Sequence, residues 1–147
     1  MERSCLIVKP DGVGKRKIGE VMARLEKEGG KLVGIKMLKL SRPMAEKFYE
    51  VHIGKIFFEP FINFVTSGPV VVTAWEGENI VELIRKIIGA TDSRKALPGT
   101  LRQLFGTDNR RNLVHASDSL IAAQREIAYF FAPAELHSYS AHDWQNK

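Results

Sequence analysis

The apolar positions of this chain switch repeatedly between a strand rhythm and a helix rhythm. Cys5-Leu6-Ile7-Val8 is an uninterrupted apolar run that ends at Lys9-Pro10-Asp11-Gly12, the pattern of a buried strand leaving into a loop. Ile18, Val21, Met22 and Leu25 follow at helical spacing, and Gly29-Gly30 stops that helix. Val33, Ile35 and Met37 return to strand alternation. Ser41-Arg42-Pro43 reads as a helix start, with Met44 and Phe48 facing the core of a helix running to about Tyr49, and residues 57–66 hold a further short helix. Val70 to Trp75, introduced by Gly68-Pro69, is the clearest strand signal. Asn79 and Glu82 stand at capping-box spacing before Ile80, Leu83, Ile84, Ile87 and Ile88, a helix that Gly89 ends. Residues 90–111 show no regular period, a long irregular stretch of the kind that often carries function. Leu113-Val114 is a short apolar run, and Asp118-Ser119 are capping types ahead of Leu120, Ala123, Ile127 and Phe131 at helical spacing.

The predicted order is β-α-β-α-α-β-α-(loop)-β-α, which suits an α+β sandwich of the split βαβ kind; the pattern also admits a parallel doubly wound sheet. With 147 residues, 44% of them hydrophobic, the chain is expected to form one domain with a core of its own. Cys5 is the only cysteine, which excludes an intrachain disulfide and a cysteine zinc cluster and suits a reducing compartment. His52, His137 and His142 do not stand at metal-ligand spacing with His115. The opening Met1-Glu2-Arg3-Ser4 lacks the apolar stretch of a signal peptide, and no apolar run approaches membrane-spanning length, so a cytoplasmic protein without a membrane partner is expected. Lys and Arg outnumber Asp and Glu by 22 to 17, a net charge of +5 that favours anionic partners.

The candidate chemistry centres on Asn112-Leu113-Val114-His115-Ala116-Ser117-Asp118-Ser119, which places a histidine at the corner between a strand and a helix start. Histidine titrates near neutrality, so an unprotonated ring nitrogen is available there as nucleophile, base or ligand. Gly12-Val13-Gly14-Lys15 invites a phosphate-loop reading and fails it. The glycine spacing is wrong and Arg16 stands where Ser or Thr is needed, so a tight turn is expected. The dinucleotide fingerprint also fails, because Lys17 occupies the position of its third glycine. Lys9, Arg85 and Arg102 are then a scattered basic set that matters only if the fold converges it on one anion.

Several blocks, in order, resemble nucleoside diphosphate kinases: Val8-Lys9-Pro10-Asp11-Gly12, Tyr49, Phe57-Phe58, Ser67-Gly68-Pro69-Val70, Trp75-Glu76-Gly77, Gly89-Ala90-Thr91, Pro98-Gly99-Thr100-Leu101-Arg102 and Asn112-x-x-His115-x-Ser117-Asp118-Ser119. The resemblance runs from Glu2 to about Leu136 and implies a ferredoxin-like, four-stranded antiparallel sheet covered by helices. It implies that His115 takes the γ-phosphoryl group of a nucleoside triphosphate and passes it to a nucleoside diphosphate, a covalent relay with ping-pong kinetics. Glu126 then orients the ring, with Ser117 beside it. Lys9, Tyr49, Arg85, Thr91, Arg102 and Asn112 hold the phosphates, the ribose hydroxyls or the transferring group, and Phe57 stacks on the base. Mg²⁺ is expected on the nucleotide phosphates with few protein ligands, and the assembly is expected to be a homo-oligomer, a hexamer or tetramer built from dimers.

Three departures stand out. Ala116 replaces the more common glycine after the histidine, Gln103-Leu104 replaces a small-acidic pair, and Asp92-Ser93 replaces Asn-Pro. The last two bear on subunit contacts more than on chemistry. The tail from His137 to Lys147 has no assigned role beyond packing of Trp144 on a neighbouring subunit. Two rival readings are a single-stranded nucleic-acid-binding module and an inactive family member. The first lacks the aromatic strand motif such modules need, so nucleic acid is not expected as the main partner; the second sits poorly with Lys9, Arg85, Arg102, Asn112 and His115 all being present.

Overall fold

A computed structural model describes all 147 residues. Strand β1 (Glu2–Val8) carries the apolar run and lies inside the sheet, between β3 (Val70–Gly77) and β4 (Val114–Ala116). The edge beyond β3 is β2 (Lys31–Leu38), giving the order β2-β3-β1-β4 with every neighbouring pair antiparallel. The doubly wound parallel alternative is therefore excluded.

Helices cover both faces, which is why β1 and β3 are apolar without alternation. On one face Cys5, Ile7, Val72 and Ala74 pack against α3 (Arg42–Phe48), α4 (Phe58–Val65) and α7 (Leu120–Phe130). On the other, Leu6, Val8, Val71 and Trp75 meet α2 (Ile18–Lys27), α5 (Ile80–Ile88) and α6 (Leu101–Phe105). Each fully buried Leu or Ile in these layers contributes about 1.5–3 kcal/mol. No open sheet face is left on which bases could stack in the manner of an RNA-recognition module.

Four local expectations need correction. Pro10–Gly14, read as a turn, is a one-turn helix, α1, started by Pro10, whose fixed φ suits a first helical position. The irregular stretch before His115 contains α6 and a 3₁₀ turn, Ser93–Lys95, both too short to show a period. Asn79 and Glu82 form no capping box: Asn79 sits at φ 50° and its side chain caps nothing. In β2 a bulge between Leu32 and Gly34 resets the alternation, so Val33 is buried while Ile35 and Met37 are 54% and 58% exposed on the sheet edge. The start of α7 follows expectation, with the Ser119 hydroxyl accepting the Ala122 N–H.

Candidate active site

β4 is short and pairs with β1 so that His115 lies opposite Ile7, while Val114 and Ala116 point into the layer of α2 and α5. Period-two alternation therefore turns the His115 ring to the other face, where Phe48 and Tyr49 from the end of α3 stand edge-on to it, with centroids 5.3 and 5.8 Å away. The next turn of chain brings Glu126 of α7 underneath. Its Oε1 lies 3.0 Å from His115 Nε2 and accepts the Ser117 hydroxyl at 2.7 Å, and Ser117 Oγ in turn accepts the Cys5 N–H at 3.1 Å. Arg125 Nη2 lies 3.7 Å from Glu126 Oε2.

Burial works to raise the Glu126 carboxyl, but hydrogen bonds from His115 and Ser117 and the charges of His115 and Arg125 outweigh it and hold the group below its ordinary value. An ionised carboxylate can only accept, so the proton between the two side chains belongs to Nε2. In the neutral imidazole, Nδ1 of His115 is then the nitrogen with the free lone pair.

Above the ring opens a cavity of about 750 Å³, a size suited to a nucleotide. Lys9, at the end of β1, is 4% exposed; its ammonium donates to the Arg110 carbonyl at 2.8 Å and lies over the rings of Phe61 and Phe64. Burial lowers its pKa to about 7, with Asp11 opposing the shift and Arg102 adding to it. Arg102, 5% exposed, is lowered to about 10, first by burial and then by Arg85. Its Nε donates to the Asn112 carbonyl, Nη1 to Gly89 and Nη2 to Val114, at 3.1, 3.0 and 2.8 Å. Arginine has five N–H groups, so two remain for a ligand. Asn112 donates to the carbonyls of Thr91 and Asn109, while its Oδ1 and the Tyr49 hydroxyl are buried without a partner. Phe57, at the cavity mouth, is 41% exposed, with the His52 ring 5.4 Å away.

The cavity thus gathers His115, Lys9, Glu126, Tyr49, Phe57, Arg85, Thr91, Arg102 and Asn112 on one wall or another. Ser117 does not reach it and stands behind Glu126, fully buried. Sequence reasoning missed Arg125, His52, Asn109 and Arg110, which also line it. Arg125 had a local signal, since it neighbours Glu126 on α7 and its guanidinium also lies over the Phe48 ring. The others come from loops without periodicity.

A cleft of this size holding one oriented histidine, six lysine and arginine side chains and an aromatic mouth fits a phosphorylated nucleotide. A family model for nucleoside diphosphate kinase matches residues 2–136. The chain belongs to the nucleoside diphosphate kinase family.

Relatives and solved structures agree. The nucleoside diphosphate kinase of Pelotomaculum thermopropionicum is 52% identical over 139 residues, 95% of this chain and 93% of that protein. A halophilic nucleoside diphosphate kinase from Halobacterium salinarum, solved in complex with CDP, superposes with a TM-score of 0.92 at 42% identity over 95% of this chain and 93% of that one. The Aquifex aeolicus nucleoside diphosphate kinase superposes with a TM-score of 0.90 at 41% identity, covering 92% and 99% of the two chains. As a nucleoside diphosphate kinase, the protein is a phosphotransferase acting on nucleotides, and the ferredoxin-like sandwich expected from the resemblance is the one observed. No helix in this nucleoside diphosphate kinase is long and apolar enough to cross a membrane.

Proposed function

We propose that this kinase works by a two-step relay through His115. The Nδ1 lone pair attacks the γ-phosphorus of a bound nucleoside triphosphate; the P–N bond forms as the bond to the β–γ bridging oxygen breaks, and the nucleoside diphosphate leaves with that oxygen. A terminal phosphate oxygen of a second nucleoside diphosphate then takes the group and breaks the P–N bond. The observation that carries this reading is the 3.0 Å contact between Nε2 and Glu126, which ties up the other nitrogen and orients the ring. Ser117 supports it by fixing Glu126.

The remaining residues divide the substrate between them. Lys9, Arg85 and Arg102 offset charge on the phosphates, which is where phosphoryl transfer gains most of its rate. Thr91, the unpartnered Tyr49 hydroxyl and Asn112 Oδ1 supply hydrogen bonds to the sugar and the transferring group. Phe57 stacks on the base, and a π-face does not discriminate among bases, so broad nucleotide acceptance follows.

Mg²⁺ fits this site only as part of the substrate. No cluster of three or more His, Cys, Asp or Glu side chains is available for a resident ion. Of the carboxylates on the cavity wall, Asp108 is paired with Arg111 and Glu126 with His115, which leaves Asp118 to hold the ion together with phosphate oxygens and water. The ion neutralises phosphate charge when bound. The apolar edge formed by Ile35 and Met37 on β2 supports a homo-oligomer, a hexamer or tetramer built from dimers. The single buried Cys5 suits a cytoplasmic setting.

Incubation with γ-labelled ATP tests the relay. Wild type should carry acid-labile, base-stable phosphate, and His115→Ala should carry at least roughly 10³-fold less. Equal labelling of the two chains would sink the assignment.

A further inference from the structure

Leu113, two residues ahead of His115, has φ 78°, and of the four non-glycine residues with positive φ it alone is buried, at 0% exposure. A side chain bearing Cβ is disfavoured in that region. The Val114 N–H donates back to the Asn112 carbonyl at 2.9 Å, so the chain makes a γ-turn of the rare, strained hand around Leu113. Such a turn persists only where its surroundings over-determine it.

Four hydrogen bonds do so here. The Lys9 N–H donates to the Leu113 carbonyl at 2.9 Å, and Arg102 donates to the carbonyls on either side, of Asn112 and Val114. The fourth is from the Leu113 N–H to Oδ2 of Asp11, at 2.9 Å across 102 residues of sequence. Asp11 sits in the single turn of α1, in the Lys9-Pro10-Asp11-Gly12 stretch, and does not line the cavity. Its other oxygen, Oδ1, is buried without a partner, so the carboxylate is kept there at a cost for one bond. Next to it, a Cβ on Gly12 would lie 3.0 Å from the Leu113 carbonyl oxygen and 2.7 Å from Val8 Cγ1, which shows how closely α1 approaches the turn.

We propose that Asp11 is a positioning residue for phosphoryl transfer: its carboxylate pins the Leu113 N–H, and the reversed turn it stabilises aims His115. The turn lets Asn112 stay on the cavity wall while Val114 enters β4 in the register that sets His115 against Ile7. If Leu113 relaxed to an extended conformation, the span from Asn112 to Val114 would lengthen. The slack would appear in β4, beside a histidine whose partner Glu126 is fixed on another element. The proposal rests on His115 being the nucleophile.

Asp11 also bears charge near Lys9 and Arg102, so the test must separate position from charge. In single-turnover formation of phosphoenzyme from saturating γ-labelled ATP, Asp11→Asn keeps an oxygen that can accept the Leu113 N–H, and its rate should stay within about threefold of wild type. Asp11→Glu keeps the charge but displaces the acceptor by a methylene, and should slow transfer by roughly 10- to 100-fold. ADP affinity by calorimetry should stay within about threefold for both, since misplacement acts on the reacting geometry and not on ground-state binding. A wild-type rate in Asp11→Glu, a larger loss in Asp11→Asn than in Asp11→Glu, or a loss confined to ADP affinity would each overturn the proposal. If Asp11→Glu does not fold, Asp11→Asn decides alone: its Leu113 amide must remain protected from hydrogen exchange and its rate must hold, and a slowed rate with the amide still protected refutes the tether. His115→Ala in the same assay separates the two layers. Labelling of that variant would overturn the nucleophile itself, whereas a blank alongside a fast Asp11→Glu would remove only the role given to Asp11.

Discussion

At the histidine end of the cavity, Lys9, Arg102 and Asn112 are buried and each is bonded to backbone carbonyls, and His115 rests on Glu126, which rests on Ser117. At the other end, the connection between α3 and α4 presents Val51, Ile53 and Ile56 at 70%, 62% and 98% exposure, with Phe57 at 41%. On the proposed relay, the contrast follows from what each end has to do. Phosphoryl transfer gains from charges fixed before the substrate arrives, so it uses side chains that cannot move independently of the sheet. Stacking on any of several bases, as we propose for Phe57, would need only an apolar plane, which its exposed ring offers.

The strongest way to break this contrast is at its most rigid point. Arg102→Ala leaves the Gly89 and Val114 carbonyls short of a donor at about 1–3 kcal/mol each, while the Asn112 carbonyl keeps the Val114 N–H, so the melting temperature should fall by about 4–8 °C or more. Turnover should fall roughly 10²-fold or more as the γ-turn and the phosphate charge are lost together. A thermal scan and steady-state rates check both; a stable, fast variant would show that the rigid end is not what sets the rate.

At the exposed end the effect should be smaller and of another kind. Phe57→Ala should raise KM for purine and pyrimidine nucleoside diphosphates alike by about tenfold, with kcat within about threefold. Ile56→Ser, one residue away and facing solvent, should leave stability within about 0.5 kcal/mol. A fall in kcat at unchanged KM for Phe57→Ala would mean that the mouth takes part in the chemistry.

The smallest expected effect sharpens the contrast through pH. Lys9 has its pKa lowered to about 7, chiefly by burial, so it loses its charge as pH rises through that value. A bound phosphate favours the charged form, so binding takes up a proton above pH 7. By this linkage ADP affinity should fall roughly fivefold between pH 7 and 8. Calorimetry in buffers of different ionisation enthalpy reads the proton directly. Lys9→Met should remove the step, and a step that survives this change belongs to another group.

The long elements were legible in the sequence because a period registers only over two or more turns of chain, which they have. Val70 to Trp75 and the stripe from Ile80 to Ile88 came through with bounds close to those observed. α1 and α6 were not legible, since five residues cannot show a period, and the Asn79 cap misled because its backbone is left-handed. The site was visible residue by residue only through the blocks that resemble the family. Spacing alone could not bring Arg102, His115 and Lys9 onto one cavity, because their convergence depends on sheet order. Nor could it reveal that Arg102 spends three donors on the backbone, or that Asp11 reaches a residue 102 positions away. Those contacts are long-range and leave no local trace.

The sheet order also bears on the timing of assembly. β1 leaves the ribosome first, yet its two neighbours are β3, some seventy residues later, and β4, more than a hundred residues later. A nascent chain can close the β1–β3–β2 ladder while Val114, His115 and the helix carrying Glu126 are still unmade. The last strand to be made is therefore the one that carries the ring we propose as phosphoryl carrier, and its pairing with β1 is a long-range closure, the slowest kind of contact to form. If that ring carries the phosphoryl group, activity in this fold is a readout of completed folding.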